Sequence, residues 1–83
     1  MELTPIRKDI LYFVQDNNEA QQIVTVLDYL RQRGDNIIPA FHPMWSRSTI
    51  RSVRVLCLHR LLRSNSGALY ITQRGIQKLQ NQC

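Results

Sequence analysis

Asp35 is the last acidic residue of the chain: residues 36–83 hold seven Lys or Arg and no Asp or Glu, whereas residues 1–35 hold four Lys or Arg and six acids. The formal charge of +5 is therefore a −2 segment joined to a +7 segment. A basic segment without acids points to a polyanionic partner. The same absence bears on catalysis. His42 and His59 both lie in the acid-free half, away from any carboxylate that could act with them, and a metal-dependent nuclease would need carboxylates beside its basic surface. With three glycines in the whole chain there is no Gly-rich phosphate loop either, so an enzyme is not expected.

Other scarcities narrow the class further. The chain has only two cysteines, Cys57 in an apolar run and Cys83 at the end, which does not suggest a bridge; two free thiols suit a reducing compartment. Cys57-Leu58-His59 points neighbouring side chains in different directions on a helix, so no metal site or other cofactor is expected. No apolar run approaches the roughly 20 residues that a spanning helix needs. Met1-Glu2-Leu3-Thr4-Pro5 lacks the basic and apolar regions of a signal peptide, so the expected location is the cytoplasm, with no membrane and no evident small-molecule substrate. At 83 residues the expectation is one small domain, and so small a core would gain from dimerisation.

What is present reads mainly as helix. Thr4 followed by Pro5 looks like a cap with proline in the first turn, and Ile6, Ile10, Phe13 and Val14 then recur at helical spacing, giving a helix from about Pro5 to Gln15. Asp16-Asn17-Asn18 is expected to break it. Asn18 then caps a second helix with Ala20, Ile23, Val24, Leu27 and Leu30 on one face, closed by Arg31, Arg33 and Gly34. Asp35–Trp45, with Pro39 and Pro43 around Ile37, Ile38 and Phe41, reads as a connector carrying a short strand and one helical turn.

A third helix capped by Ser46 or Ser48 keeps Ile50, Val53, Leu56, Cys57 and Leu61 on its inner side and Ser48, Arg51, Ser52, Val55, His59 and Arg63 on its outer side. Arg54 falls near the apolar edge, where its stem would lie along the core. Leu61-Leu62, the turn Ser64-Asn65-Ser66-Gly67 and Ala68–Thr72 read as a β-hairpin, and Thr72 caps a last short helix holding Ile76 and Leu79. Trp45 is expected to plug the core beside Pro43, and Met44 to fill space in the connector.

Ser46-Arg47-Ser48-Thr49-Ile50 is similar to the Ser-x-x-Thr-Val/Ile opening of a recognition helix. Tyr70-Ile71-Thr72-Gln73-Arg74-Gly75 is similar to the Tyr-x-Leu-Thr-x-x-Gly pattern that closes the wing in MarR-like and PadR-like regulators, with Leu61-Leu62 at the entry to the wing. From about Leu27 to Leu79 the chain thus resembles a winged helix-turn-helix domain. The resemblance implies a mainly α fold with a small β-hairpin (α+β), three or four helices and a two- or three-stranded wing. His42-Pro43-Met44-Trp45 stands where that family has a Gly-rich or acidic turn. Two registers are open. Either the first two helices are the family's first two, or the second is the family's first and residues 1–17 are an added N-terminal helix; the latter is preferred because it places Leu27, Leu30 and Gly34 as the family does.

The implied function is sequence-specific duplex DNA binding by a small cytoplasmic transcriptional regulator, a homodimer that occupies an operator. On the recognition helix the expected contacts are Ser46, Arg47, Ser48, Arg51, Ser52, Arg54 and Val55, and on the wing Arg63, Asn65 and Ser66. Ser46 and Ser48 suit phosphate, Arg51 is long enough for a bidentate fork to guanine, and Val55 suits a thymine methyl. The alternative is a winged helix that binds protein, an adaptor or phage-type inhibitor docking on an acidic surface; the Gln-, Asn- and Arg-leaning composition is compatible with a phage origin. A merely solvated helix face would mix charge signs. RNA or single-strand binding would call for aromatic platforms, and only Trp45 and Tyr70 lie near the basic segment.

Overall fold

The computed structural model describes residues 2–34 and 42–81, with the side chains of Gly34 and of His42–Trp45 outside that description. Among the described residues four helices and three short strands run in the order α1 (Pro5–Glu19), β1 (Val24–Thr25), α2 (Val26–Gly34), α3 (His42–Leu58), β2 (Leu62–Asn65), β3 (Ala68–Ile71) and α4 (Gln73–Asn81). The strands form one antiparallel sheet in the order β1-β3-β2. The chain is mainly helical with a small sheet, as the expected α+β class has it.

α1 starts as its sequence suggests, with Thr4 accepting from the Arg7 amide and Pro5 in the first turn. It does not break at Asp16-Asn17-Asn18 but continues to Glu19. It ends in a Schellman motif: Gln21 takes a left-handed φ of 60°, its N–H donates to Asn18 O, and Gln22 N–H donates to Asn17 O. The side chain of Asn18 points to the sheet instead of capping a second helix. Its Oδ1 accepts from the Ile71 amide at 2.8 Å and its Nδ2 donates to Leu69 O at 3.4 Å. β1 pairs only with Ala68 and Leu69, so Asn18 serves the Ile71 amide of β3, which lies beyond the reach of β1.

The expected second helix is correspondingly displaced. Val24 is buried in β1, while Ile23 is 70% exposed and Leu27 52% exposed. The cap of α2 is Thr25, which closes a capping box with Asp28: Thr25 Oγ1 accepts from the Asp28 amide and Asp28 Oδ2 accepts from the Thr25 amide. One residue thus ends a strand and starts a helix, which a helical-periodicity reading of Ala20–Leu30 hides. α1 is no appendage to this core. Ile10, Leu11, Phe13 and Val14 are buried in the same cluster as Val24, Tyr29, Val53, Leu56, Leu61, Leu62, Leu69 and Leu79.

α3 begins at His42, so Ser46 and Ser48 lie inside it and neither is its cap. Pro43 falls in the first turn, where a proline is tolerated because that amide has no helical acceptor. The expected connector residues Asp35–Phe41, the side chains of Met44 and Trp45, and Cys83 lie outside the described residues. α3 also ends in a Schellman motif: Arg60 has φ 62°, Arg60 N–H donates to Cys57 O, and Leu61 N–H donates to Leu56 O. Leu56 and Leu61, both buried, supply the apolar contact that accompanies this motif.

Candidate nucleic-acid interface

α3 packs against α1, α2 and β2, and that packing sets which of its faces is outward. The buried positions are Thr49 at 0% exposure, Ser52 at 6%, Val53 and Leu56. Ile50 is exposed and Cys57 half-buried. The helix is therefore rotated from its expected setting: Thr49 and Ser52 turn inward and Ile50 outward. Ser52, expected among the outward contacts, faces the core side. Hydrophobicity alone disfavours burying Thr and Ser, but small side chains let neighbouring helices approach closely, and Thr is nearly the size of Val.

The rotation brings the arginines together. At about 3.6 residues per turn, the side opposite Thr49, Ser52, Val53 and Leu56 carries Arg47, Arg51, Arg54 and Leu58, all exposed. Arg54 thus sits in the outward stripe and not along the core. Ser48 is exposed on one flank, with Val55 half-buried on that side, and Ser46 is half-buried on the other. Among the described residues no acid pairs with these arginines; the ion pair present is Asp9 with Arg33, at 3.5 Å, between α1 and α2.

The hairpin stands beside this helix. Ser66 and Gly67, with φ of 53° and 86°, form a two-residue loop whose left-handed pair matches a type I′ turn, so Ser64 and Asn65 belong to β2 and not to the turn. Gly67 would meet no atom within 4 Å if it carried a Cβ, so the backbone angle is what calls for glycine there. Arg63, Asn65 and Ser66 are exposed. Arg63 is the cross-strand partner of Tyr70, and its guanidinium lies 4.7 Å from the centre of the Tyr70 ring, which holds it against the sheet face. Arg54 and Leu58 of α3 share a groove of about 540 Å³ with Ser64, Gly67 and Leu69 of the hairpin and Val26 of α2.

The join behind the hairpin explains the pattern Tyr70–Gly75. Thr72 Oγ1 accepts from the Gly75 amide at 3.0 Å and caps α4. The same hydroxyl lies 2.7 Å from Arg60 O and 3.0 Å from Leu61 O, and Thr72 N–H also donates to Leu61 O. A Cβ on Gly75 would stand 2.3 Å from Leu61 O. Glycine is thus required where α4 crosses the link between α3 and β2.

Two features could not be read from charge pattern alone: the groove beside Leu58 and the inward turn of Thr49. Cys57 is half-buried, and burial pushes its thiol above the ordinary value, so little thiolate forms near neutral pH. Among the described residues no three of His, Cys, Asp and Glu converge as metal ligands, and no helix is long and apolar enough to cross a membrane. Comparison with family models, curated proteins and solved structures found no match.

Proposed function

We propose that this chain is a small winged helix-turn-helix protein that binds duplex DNA, with α3 in the major groove and the β2–β3 hairpin as its wing. The observation that carries this reading is the outward stripe Arg47, Arg51 and Arg54, on a helix whose half of the chain contains no acid. The order helix, short strand, helix, helix, hairpin supports it, as does the pairing of β1 with β3. Arg51 and Arg54 would reach base edges, Arg47 and Ser48 the flanking phosphates, and Arg63 a phosphate beside the wing. Ser52 is withdrawn from the contact set. The protein would act as a cytoplasmic homodimer that regulates transcription by occupying an operator, with no catalytic step.

Titrating binding to a random duplex against salt tests the reading. The two arginines placed on phosphates, Arg47 and Arg63, should give a slope of log K against log salt of about −2. Arg51→Ala should cost about 1 to 3 kcal/mol on a selected site and much less on random duplex; an equal loss on both would remove its base-reading role. Selection from a random duplex pool should return a palindrome, and sedimentation at the mass of one chain would remove the homodimer.

A second reading has its own observation. Leu58, at 79% exposure, rims the groove lined by Val26, Val53 and Leu69, an apolar cleft beside basic Arg54. That combination suits an acidic, amphipathic protein segment, as an adaptor or phage-type inhibitor would bind. A protein of this kind would show little salt-sensitive affinity for random duplex, and Leu58→Ser would abolish partner binding while leaving the fold intact.

A further inference from the structure

The acid-free half holds a second cluster of cations, away from the α3 stripe. Beyond the C-terminal end of α3, where the chain passes α4, a cleft of about 230 Å³ is lined by His59, Leu61, Arg74 and Lys78. Buried Leu61 closes its floor. Arg74 and Lys78 are four residues apart on α4 and so lie on one face, a spacing at which like charges repel. The Thr72 cap and the close approach of Gly75 to Leu61 O hold α4 against the α3–β2 link, so the walls of the cleft are fixed by the fold.

Among the described residues no acid offsets this charge. None of His59, Arg74 and Lys78 is in an ion pair, and the described pair Asp9–Arg33 joins α1 to α2. Several nearby backbone acceptors are engaged: the carbonyls of Val55, Leu56 and Cys57 accept from His59, Leu61 and Arg60, and those of Arg60 and Leu61 face the Thr72 hydroxyl. Charges that the fold could have paired or dispersed are instead gathered in a concavity.

The geometry points to an anion site here, one that takes a phosphate group between Arg74, Lys78 and His59. Arg74 supplies a planar fork that matches two phosphate oxygens, Lys78 a point charge and His59 a ring N–H. The volume lies below the roughly 300 to 1,000 Å³ of pockets for drug-sized ligands, so it suits the phosphate group itself. At 1.5 Å per residue His59 lies roughly 18 Å along the axis from Arg47, so the cleft is a separate anchor at the far end of α3. The phosphate has two possible sources, the backbone of a bound duplex or a free phosphate ion. The site stands on the cleft and its charges and does not depend on the DNA reading.

The test is an amide NMR titration of the full chain with inorganic phosphate at constant ionic strength, chloride being exchanged for phosphate. The expected result is saturable shifts at His59, Arg74, Gly75 and Lys78, with affinity reduced at least tenfold in Arg74→Gln/Lys78→Gln. His59→Ala serves as a second variant, and an unchanged melting temperature shows that each variant is folded. Shifts that stay linear in phosphate, or that saturate equally in the double variant, overturn the site. A parallel duplex titration separates the sources. If the double variant lowers the salt slope by about 2, the group is a duplex phosphate; if the slope is unchanged while phosphate saturates the wild type, it is the free ion.

Discussion

Up to Gly34, several charged side chains are tied to neighbours in the fold, although Glu2, Asp16, Glu19 and Arg31 are exposed; from His42 onward all but Lys78 are exposed. Asp28 closes the capping box of α2, and Asp9 accepts a 2.6 Å hydrogen bond from the Tyr29 hydroxyl while pairing with Arg33, whose guanidinium lies 5.6 Å from the centre of the Phe13 ring. Phe13 and Tyr29 meet edge to face beneath that group. In the second region Arg47, Arg51, Arg54, Arg60 and Arg74 are exposed and, among the described residues, without an acidic partner, and Arg63 rests on an aromatic ring. Charge of the first kind stabilises the monomer. Charge of the second kind adds self-repulsion and is available to a partner.

The comparison predicts where substitutions will hurt. The largest effect should come at the join that holds α4, for Gly75→Ala drives a Cβ into Leu61 O: a loss of about 3 kcal/mol, read from the midpoint of a urea melt. An unchanged midpoint would mean that α4 is not seated there. Next comes Asn18→Ala, which leaves the Ile71 amide without its side-chain acceptor and should cost about 2 kcal/mol. Hydrogen exchange at Ile71 should accelerate with it.

Tyr29→Phe is expected to cost about 1 kcal/mol near neutral pH, through loss of the bond to Asp9. It also carries a pH signature. Burial first, then the hydrogen bond and charge of Asp9, push the Tyr29 phenol well above its ordinary value of 10.0, with Arg33 opposing. The folded state therefore keeps a proton that the unfolded chain releases above about pH 10, and stability falls as pH rises past that point. Urea melts from pH 9 to 11 should show this decline in the wild type and a shallower one in Tyr29→Phe; equal slopes would place the phenol in solvent.

The smallest stability effects should be those of Arg47→Gln, Arg51→Gln and Arg54→Gln, each within about 0.5 kcal/mol, as expected of exposed side chains. If any of them destabilised the protein as Tyr29→Phe does, the division between the two regions would fail at that residue. If all three left both folding and duplex binding untouched, the stripe would have no role.

Much of the local structure is legible in the sequence because single residues signal it. Thr4-Pro5 starts α1, Ser66-Gly67 turns the hairpin and Thr72 caps α4. The errors share a physical origin. Apolar periodicity over Ala20–Leu30 looks helical, but a loop, a two-residue strand and the first turns of α2 produce it, with Ile23 and Leu27 left exposed. Pairing with β3 decides that outcome, and β3 lies more than 40 residues further on. The orientation of α3 differs from its periodicity because Ser52 reads as outward and Ile50 as core, whereas Ser52 is buried beside Thr49 and Ile50 is exposed. The charge of the candidate interface was visible from the start; which arginines align was not, since that depends on a rotation set by neighbouring elements.

The amide of Asn18 has a consequence beyond stability. A sheet edge with free N–H and C=O groups is a template onto which another extended chain can add. β1 pairs only with Ala68 and Leu69, so β3 would present such an edge at Ile71, but one side chain from α1 occupies that amide. Asn18 therefore acts as a stopper against strand addition, and Asn18→Ala should shorten the time to visible aggregation on storage by more than its loss of stability alone would explain.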